Sequence, residues 1–411
     1  MVGAGAEHER EALGTRHPVL GTRMNIGITC YSTYGGSGIV GTELGKELAR
    51  RGHTVHFIAR ALPTRLVELS DQIQFHEVEA LNYPLFEVPH YSLALAVKMA
   101  EIAQRERLDL LHVHYAIPHS ISGYLAREML RGRHRLPVVT TLHGTDITLV
   151  GRDRSYWTVT KFAIAESDGA TAISHYLARA TCEFFGLPDI RVIPNFVDVE
   201  YYRRSAGDCT RERLAPAGQK LIAHVSNFRP VKRATDCVEV LARVRKDVDA
   251  RLIMVGDGPD AAAAGALAER LGVSDDVVFV GKQPRIVDYL ACADLLLLPS
   301  ETESFGLAAL EAMSCEVPVV ATRVGGLPEV VGEGVSGHLL PVGDVDGMAA
   351  AAARILSDER LSAEMGAAGR RVAVEQYTTE AVIPQYVDYY GEVLDRFDPG
   401  EGPSCVGRYV R

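Results

Sequence analysis

The most informative segment of this chain reads Ala293-Asp-Leu-Leu-Leu-Leu-Pro-Ser-Glu-Thr-Glu-Ser-Phe-Gly-Leu-Ala-Ala-Leu-Glu311. Its apolar first part predicts a buried parallel strand, and its alanine- and leucine-rich end predicts a helix. The loop between them lies at the carboxyl end of a strand, where α/β sheets bind ligands. We expect Glu303 at the mouth of the sheet, Ser304 as the N-cap of the helix, and Glu311 roughly two helical turns further on the same face. Two carboxylates beside free helix amides indicate a site suited to an anion.

The alternation of strand and helix continues in both directions along the chain. Apolar runs predict strands at residues 24–30, 52–58, 108–114, 136–142, 169–173 and 190–193, and again at 220–225, 250–256, 277–281, 293–298 and 318–321. This alternation is typical of parallel, doubly wound sheets, so we predict an α/β protein with two Rossmann-like domains that face each other. A polar linker is predicted between the domains, and an amphipathic helix near the C-terminus is predicted to return to the first domain.

The composition favours a protein that acts on small substrates. The 411 residues carry a formal net charge of -10, which argues against bulk binding to nucleic acid and against adhesion to a membrane. The seven cysteines are an odd number without a Cys-x-x-Cys pair, so we expect reduced thiols in a cytoplasmic protein. Residues 1–23 lack the apolar core of a signal peptide, and no apolar run reaches the length of about eighteen residues that a membrane span needs. The sequence leaves association into a homo-oligomer open.

Further loops carry groups that suit a phosphate. Gly35-Gly-Ser-Gly38 follows the first strand but fits neither the dinucleotide fingerprint nor a Walker motif, so it is either a phosphate-contacting loop or a tight turn. Arg229 and Lys232 follow the first strand of the second domain, and they either hold a diphosphate or form a solvated basic turn. His143 lies directly beyond the carboxyl end of a strand, where a loop histidine is expected to face the cleft.

Candidate metal ligands are present but poorly placed. His112 and His114 alternate along a strand and lack a third ligand at suitable spacing, which favours packed or hydrogen-bonded histidines. The Asp-x-Asp strings at residues 247–249 and 344–346 do not end buried strands, which favours surface carboxylates, and Asp257 is interpreted as a turn residue. We therefore predict no metal site and no cofactor.

Four motifs occur together in this chain. They are Glu303-Ser-Phe-Gly306 with Glu311, Gly256-Asp-Gly-Pro259, Gly325-Gly-Leu-Pro-Glu329, and the Gly35-Gly36 loop. Their combination resembles the retaining GT-B glycosyltransferases of family 4, over nearly all of residues 24–396. The chain is most similar to the subgroup that transfers N-acetylglucosamine to L-malate in the first step of bacillithiol synthesis. That similarity is carried by residues 27–31, 35–45, 112–119, 141–148, 226–229 and 280–283.

The subgroup is indicated most directly by Asn227 together with Arg229, because other members of the family often carry arginine at the place of Asn227. Two features depart from the family pattern. Cys315-Glu316 stands where a small residue and glycine are frequent, and the first 23 residues match nothing. The first departure concerns packing and leaves the implied chemistry unchanged.

The resemblance implies that the two domains bind different substrates. Residues 24–200 would form the N-terminal acceptor-binding domain, 201–218 the linker, 219–375 the C-terminal domain that binds the UDP-sugar, and 376–396 the returning helix, with a flexible extension at 1–23 and a flexible tail at 397–411. The implied small-molecule partners are UDP-N-acetylglucosamine and L-malate, both of them substrates. Nucleic acid and membranes are not expected as partners.

The resemblance also implies roles for individual residues. Glu311 would accept hydrogen bonds from the ribose, Glu303 would hold a hydroxyl of the donor sugar, and the leaving diphosphate would be neutralised by preorganised donors. The implied catalytic residues are His143, Glu303, Arg229 and Lys232. The implied donor-binding residues are Gly36, Ser37, Gly38, Asn227, Gly281, Lys282, Gln283, Ser304, Phe305, Gly306, Leu307 and Glu311. Because Gly36 to Gly38 belong to the opposite domain, closure of the cleft would complete the site.

Malate is a small dianion, which calls for cations and hydroxyl donors on the first-domain side. The candidates are Tyr115, Thr145, Lys161, Asn195 and Arg65. No enzymic nucleophile is evident, so we expect retention of configuration by front-face substitution, in which the departing phosphate helps to take the malate proton. Three alternatives stay open: the same fold with inositol phosphate or a lipid as acceptor, a UDP-sugar 2-epimerase, and a non-catalytic nucleotide-sugar sensor.

Overall fold

The computed structural model of this chain describes residues 23–32, 35–66, 69–80, 89–148, 150–188, 190–204 and 211–397. The extension predicted at 1–23 and the tail predicted at 397–411 lie outside these residues, apart from Arg23 and Phe397. Residues 205–210 of the predicted linker also lie outside them. In the described parts of that linker, Tyr202, Leu214 and Ala215 are buried, whereas most of the other residues are exposed.

The first domain is built on a parallel sheet of seven strands in the order β3-β2-β1-β4-β5-β6-β7. The strands are β1 (Asn25–Thr29), β2 (Thr54–Ala59), β3 (Ile73–Glu77), β4 (Leu110–His114), β5 (Val138–Leu142), β6 (Gly169–Ala172) and β7 (Arg191–Val192). The helices are α1 (Gly36–Arg50), α2 (Tyr91–Glu106), α3 (Ile121–Leu130), α4 (Thr145–Thr148), α5 (Arg154–Ala165) and α6 (His175–Phe185). A π turn at Ala116–Ser120 and a 3₁₀ turn at Val150–Arg152 complete this half.

The second domain repeats the scheme with a parallel sheet of six strands in the order β10-β9-β8-β11-β12-β13. Its strands are β8 (Lys220–Val225), β9 (Ala250–Val255), β10 (Val277–Gly281), β11 (Leu295–Leu298), β12 (Val319–Thr322) and β13 (Gly337–Leu340). Its helices are α7 (Arg211–Leu214), α8 (Ala234–Val244), α9 (Ala261–Leu271), α10 (Val287–Leu290), α11 (Leu307–Ser314), α12 (Leu327–Val330), α13 (Val345–Ser357) and α14 (Glu359–Gln376), with 3₁₀ turns at Pro230–Lys232 and Ser274–Asp276.

Both sheets reverse their strand order beside the first strand, which is where doubly wound sheets bind ligands. The reversal lies between β1 and β4 in the first domain and between β8 and β11 in the second. All four leucines of β11 are at most 1% exposed, as a central parallel strand covered on both faces requires. Within the described ranges, no helix is both long and apolar enough to cross a membrane.

A last helix, α15 (Thr379–Arg396), returns to the first domain. Its Tyr386 and Tyr390 are fully buried among core residues of that domain. The Tyr390 hydroxyl lies 2.7 Å from His112 Nδ1 on β4, and the Tyr389 hydroxyl donates to the carbonyl of Ala170 on β6 over 3.2 Å. The predicted fold class, two facing Rossmann-like domains with a returning C-terminal helix, is confirmed.

Candidate active site

A cavity of about 250 Å³ lies between the two domains. Its walls come from α1 on one side and from the ends of β8, β9 and β10 with the start of α11 on the other. Seven of the residues predicted to bind the donor or to act in catalysis line it: Gly36, Asn227, Lys232, Gln283, Lys282, Leu307 and Glu311. Arg65, predicted from the sequence to bind the acceptor, also lines it.

The loop before α11 differs in one respect from the prediction. The helix begins at Leu307 and is preceded by Gly306, whose φ of 99° is left-handed, so the prediction that Ser304 caps the helix is wrong. Glu303 accordingly lies on the loop and not on the helical face of Glu311. The loop follows this path because an added Cβ on Gly325 would lie 1.7 Å from the carbonyl oxygen of Glu303, so the glycine turn packs directly beneath it.

Glu303 forms an ion pair with Lys232, which lines the cavity. The Ser300 hydroxyl also donates to Glu303 Oε1, over 3.2 Å. The side chains of Lys232 and Glu303 are 21% and 15% exposed, so each charge is largely removed from water and compensated by the other. A carboxylate and an ammonium ion thus stand side by side where the sequence places the donor sugar and its diphosphate.

Glu311 is a buried carboxylate on α11, and its neighbours come from the other domain and from the interdomain segment. Arg65 Nη2 lies 3.9 Å from Glu311 Oε1 and donates a hydrogen bond of 2.9 Å to the Tyr202 hydroxyl. Burial raises the pKa of Glu311 to about 7, while Arg65 and a hydrogen bond with Tyr202 lower it and Glu43 raises it. The structure therefore places Arg65, predicted to bind the acceptor, beside Glu311, which was predicted to bind the ribose.

Several residues predicted from the sequence lie close together on the side of the cleft that the first domain forms, here called the first-domain wall. Gly36, Ser37 and Gly38 form the first turn of α1, and Gly36 lines the cavity. The hydroxyl of Tyr115 forms hydrogen bonds with Ser37 and Thr145. Burial and Asp146 raise the pKa of Tyr115, and the Ser37 and Thr145 side chains and Arg229 of the opposite domain lower it.

His143 belongs to the same wall and is neutral at physiological pH. Its pKa is lowered to about 3 by burial and by His119. His143 Nε2 lies 2.8 Å from His114 Nδ1, and the His143 ring stacks on Tyr115 with centroids 5.4 Å apart. An uncharged imidazole offers a donor sugar a hydrogen bond and an aromatic edge without repelling a developing positive charge at the anomeric carbon.

Asp146, which the sequence analysis did not single out, organises this wall. Its carboxylate accepts hydrogen bonds from the backbone amides of Gly144 at 2.9 Å, Ala116 at 3.2 Å and His143 at 3.3 Å. Desolvation raises the pKa of Asp146 to about 6 in spite of these bonds. The only sequence signal was a short polar side chain just after a strand, which is typical of turn and cap residues.

The remaining acceptor candidates are Lys161 and Asn195. The ammonium of Lys161 lies over the Trp157 ring, 5.4 Å from its centroid, on α5. Asn195 is buried in the segment that follows β7, and its Oδ1 has no hydrogen-bond partner among the described residues. No contact found in the described part of the chain joins either residue to Tyr115.

The residues that the sequence analysis considered and rejected as metal ligands bind other protein groups. His112 bonds through both ring nitrogens, to the Tyr390 hydroxyl and to Thr141 Oγ1, each at 2.7 Å. Asp344 caps α13 by accepting from Gly347 N at 2.9 Å, while Asp346 and Asp249 pair with arginines at the surface. Among the described residues, no group of three or more histidine, cysteine, aspartate or glutamate side chains is placed to hold a metal ion.

Comparison with known proteins agrees with this architecture. Residues 34–201 match the family model "Glycosyltransferase Family 4", and residues 210–372 match "Glycosyl transferases group 1". The N-acetyl-alpha-D-glucosaminyl L-malate synthase of Bacillus anthracis is 48% identical over 374 residues, which are 90% of this chain and 98% of that protein. A D-inositol 3-phosphate glycosyltransferase of Geodermatophilus obscurus is 30% identical over 92% of this chain and 89% of that protein.

Solved structures share the fold at lower identity. Sucrose-phosphate synthase from Thermosynechococcus elongatus has a TM-score of 0.76 and 23% identity, over 91% of this chain and 100% of that one. Anabaena HepE in complex with UDP-glucose has a TM-score of 0.77 and 23% identity, over 90% of this chain and 100% of that one. With two facing Rossmann-like domains, a cleft between their switch points and both family models matched, this chain belongs to glycosyltransferase family 4 and has the GT-B fold.

Proposed function

We propose that this protein transfers N-acetylglucosamine from UDP-N-acetylglucosamine to the hydroxyl of L-malate, with retention of the anomeric configuration and without a metal ion. The observation that carries the proposal is the similarity to the malate synthase of Bacillus anthracis, 48% identical over 98% of that protein. The inositol-phosphate transferase from Geodermatophilus obscurus is only 30% identical. The Asn227 and Arg229 pair, typical of the malate-transferring subgroup, supports the same choice of acceptor.

The donor would be held mainly by the C-terminal domain. Glu311 would accept hydrogen bonds from the ribose hydroxyls, and residues 281–283 would meet the uracil. The diphosphate would draw Lys232 away from Glu303, which is then able to accept a hydroxyl of the sugar. Arg229 and the amides at the start of α11 would neutralise the remaining charge, and the first turn of α1 would approach from the opposite side.

The transfer step would proceed on one face of the sugar. The malate hydroxyl oxygen forms a bond to the anomeric carbon as the bond from that carbon to the phosphate oxygen breaks. The hydroxyl proton passes to the leaving phosphate, so UDP departs and no enzymic nucleophile is required. A covalent glycosyl-enzyme trapped on Glu303, or on any other carboxylate, would refute this mechanism.

The acceptor would bind against the first-domain wall formed by Tyr115, Thr145 and Ser37. Their hydrogen-bonded hydroxyls supply donors for carboxylate oxygens, and Arg229 supplies a positive charge from across the cleft. Arg65 is better explained by a role beside Glu311, because it contacts that carboxylate and Tyr202. Lys161 and Asn195 stay candidates whose described contacts do not join this wall.

A panel of acceptors tests the proposal. UDP release from UDP-N-acetylglucosamine is measured with L-malate, D-malate, inositol phosphate and water, and the configuration of the product is read by NMR. We expect fast release with L-malate and an α-linked product. Faster UDP release with inositol phosphate than with L-malate would show that inositol phosphate is the acceptor. Epimerised sugar formed without any acceptor would favour a UDP-sugar 2-epimerase instead.

A further inference from the structure

Glu329 of the C-terminal domain binds the N-terminus of a helix in the other domain. Its Oε2 accepts a hydrogen bond of 2.8 Å from His175 N, and its Oε1 accepts one of 2.7 Å from Tyr176 N. These are the first two amides of α6, and the third, Leu177 N, is bonded to the capping hydroxyl of Ser174 at 3.1 Å. A carboxylate at this place satisfies otherwise unpaired donors and meets the positive end of the helix dipole.

The same helix cap contacts the loop that carries Glu303. The Ser174 hydroxyl, besides capping α6, donates to the carbonyl of Ser304 over 2.5 Å. An added Cβ on Gly144, in the loop after β5, would lie 1.6 Å from Ser304 Oγ, so the two domains are in direct contact here. The N-terminal domain thus touches the catalytic loop from two of its own loops.

Glu329 is joined to that loop through its own short helix. α12 begins one residue after Gly326, whose amide donates to the carbonyl of Glu303 over 2.9 Å. The carbonyl of Glu329 in turn accepts a hydrogen bond of 3.0 Å from the Tyr377 hydroxyl. The segment from Gly325 to Glu329 is therefore fixed to the Glu303 loop at one end and to α6 at the other.

We propose that Glu329 is a positioning residue for sugar transfer, whose carboxylate, bound to the first amides of α6, holds the Glu303–Gly306 loop against the acceptor-binding domain. Glu329 itself touches no substrate in this scheme. It acts by fixing where Glu303 and the amides of α11 stand relative to Tyr115 and Thr145. The inference rests on the proposed transfer reaction, in which donor and acceptor are bound by different domains.

The variants Glu329→Gln and Glu329→Ala test this role. Glutamine retains one acceptor oxygen but loses the charge and turns an N–H₂ group towards the helix amides, whereas alanine removes the contact entirely. We expect kcat for transfer to fall roughly tenfold in Glu329→Gln and further in Glu329→Ala, as the loss of charge-assisted hydrogen bonds implies. UDP affinity, measured by calorimetry, should stay within about twofold of the parent, because UDP would be held mainly by the C-terminal domain, whereas the Glu329 contact sets the position of its loop relative to the other domain.

A second measurement does not depend on activity. Small-angle scattering in the presence of UDP should give a larger radius of gyration for Glu329→Ala than for the parent protein. Glu364→Gln is the matched control, because Glu364 forms an exposed ion pair with Arg360 on α14 and should leave kcat, UDP affinity and radius unchanged.

Two results would overturn the inference. One is an unchanged kcat and an unchanged radius in both Glu329 variants. The other is a loss of kcat accompanied by an equal loss of UDP affinity and a lower melting temperature, which would make Glu329 a residue of general stability. A parent protein that transfers nothing to L-malate would instead refute the proposed function, and the scattering comparison would still decide the role of Glu329.

Discussion

Removing the guanidinium of Arg65, in the variant Arg65→Met, should change the pH range over which this protein binds UDP-N-acetylglucosamine. Burial raises the pKa of Glu311 to about 7, and Arg65 lowers it. In the proposed donor complex the ionised carboxylate would accept hydrogen bonds from both ribose hydroxyls, whereas the protonated carboxyl would accept fewer. Affinity for the donor should therefore rise with pH through this pKa, level off above it, and be lost as the pH falls below it.

The size of the shift follows from the geometry. Two unit charges about 4 Å apart attract each other by about 4 kcal/mol at an effective dielectric constant of 20. The distance from Arg65 Nη2 to Glu311 Oε1 is 3.9 Å. That attraction is an upper bound, because water that replaces the guanidinium solvates the carboxylate. We expect the midpoint of the binding curve to move upward by about one pH unit, equivalent to about 1.4 kcal/mol.

The charged and titratable groups that face Glu311 allow a control of opposite sign. They are Arg65 from the loop after β2, Tyr202 from the segment after β7, Glu43 from α1 and the Cys315 thiol after α11, and Glu43 raises the pKa of Glu311. Glu43→Gln should therefore move the midpoint downward, and Glu311→Gln should abolish the titration.

Binding is measured by calorimetry between pH 5.5 and 8.5 without acceptor. The ligand is the intact UDP-sugar, because its diphosphate diester does not titrate in this range. A parent protein whose affinity is flat across the range, or an Arg65→Met midpoint equal to that of the parent, would refute the reasoning.

Three further outcomes are expected. Gly144→Ala should lower kcat roughly tenfold or more while UDP affinity is retained. The reason is that the backbone φ of Gly144 is 112° and the new Cβ would lie 1.6 Å from Ser304 Oγ. A normal kcat in this variant would contradict the close contact of the domains. Tyr390→Phe should lower the free energy of unfolding in urea by about 1–3 kcal/mol, since it leaves Nδ1 of the buried His112 without a partner. Transfer should survive excess EDTA, and complete loss with recovery on added Mg²⁺ would disprove the metal-free mechanism.

The fold was largely predictable, because the central strands of parallel sheets are continuous apolar runs such as Leu295–Leu298. The two strands that the sequence analysis missed lie at sheet edges. β3 alternates polar and apolar residues, and β13 has only four residues with a glycine whose added Cβ would meet the Val319 carbonyl at 1.9 Å. Edge strands are covered on fewer sides, so their sequences carry a weaker signal.

The candidate site was most predictable where a residue follows a strand directly or lies in the helix that comes next. Lys232 and Glu303 were predicted in this way, because the carboxyl ends of parallel strands meet at one edge, whereas Asn227 was predicted from the resemblance alone. Contacts between the domains have no such local signal: His175 and Glu329 are 154 residues apart in sequence, and the position of Arg65 depends on a loop from the other domain. The predicted N-cap at Ser304 failed for a related reason, since Gly325 and Gly326 set the path of its loop.

The pairing of Lys232 with Glu303 explains how both charges are tolerated before the donor arrives. An isolated charge in a site that is four-fifths removed from water would be costly, so each side chain compensates the other. A diphosphate carries more negative charge than one carboxylate and competes well for Lys232. Its arrival would leave Glu303 without its cation, and a sugar hydroxyl is then the nearest donor. Occupation of the diphosphate site would thereby create the acceptor that holds the sugar, and departure of UDP would restore the pair.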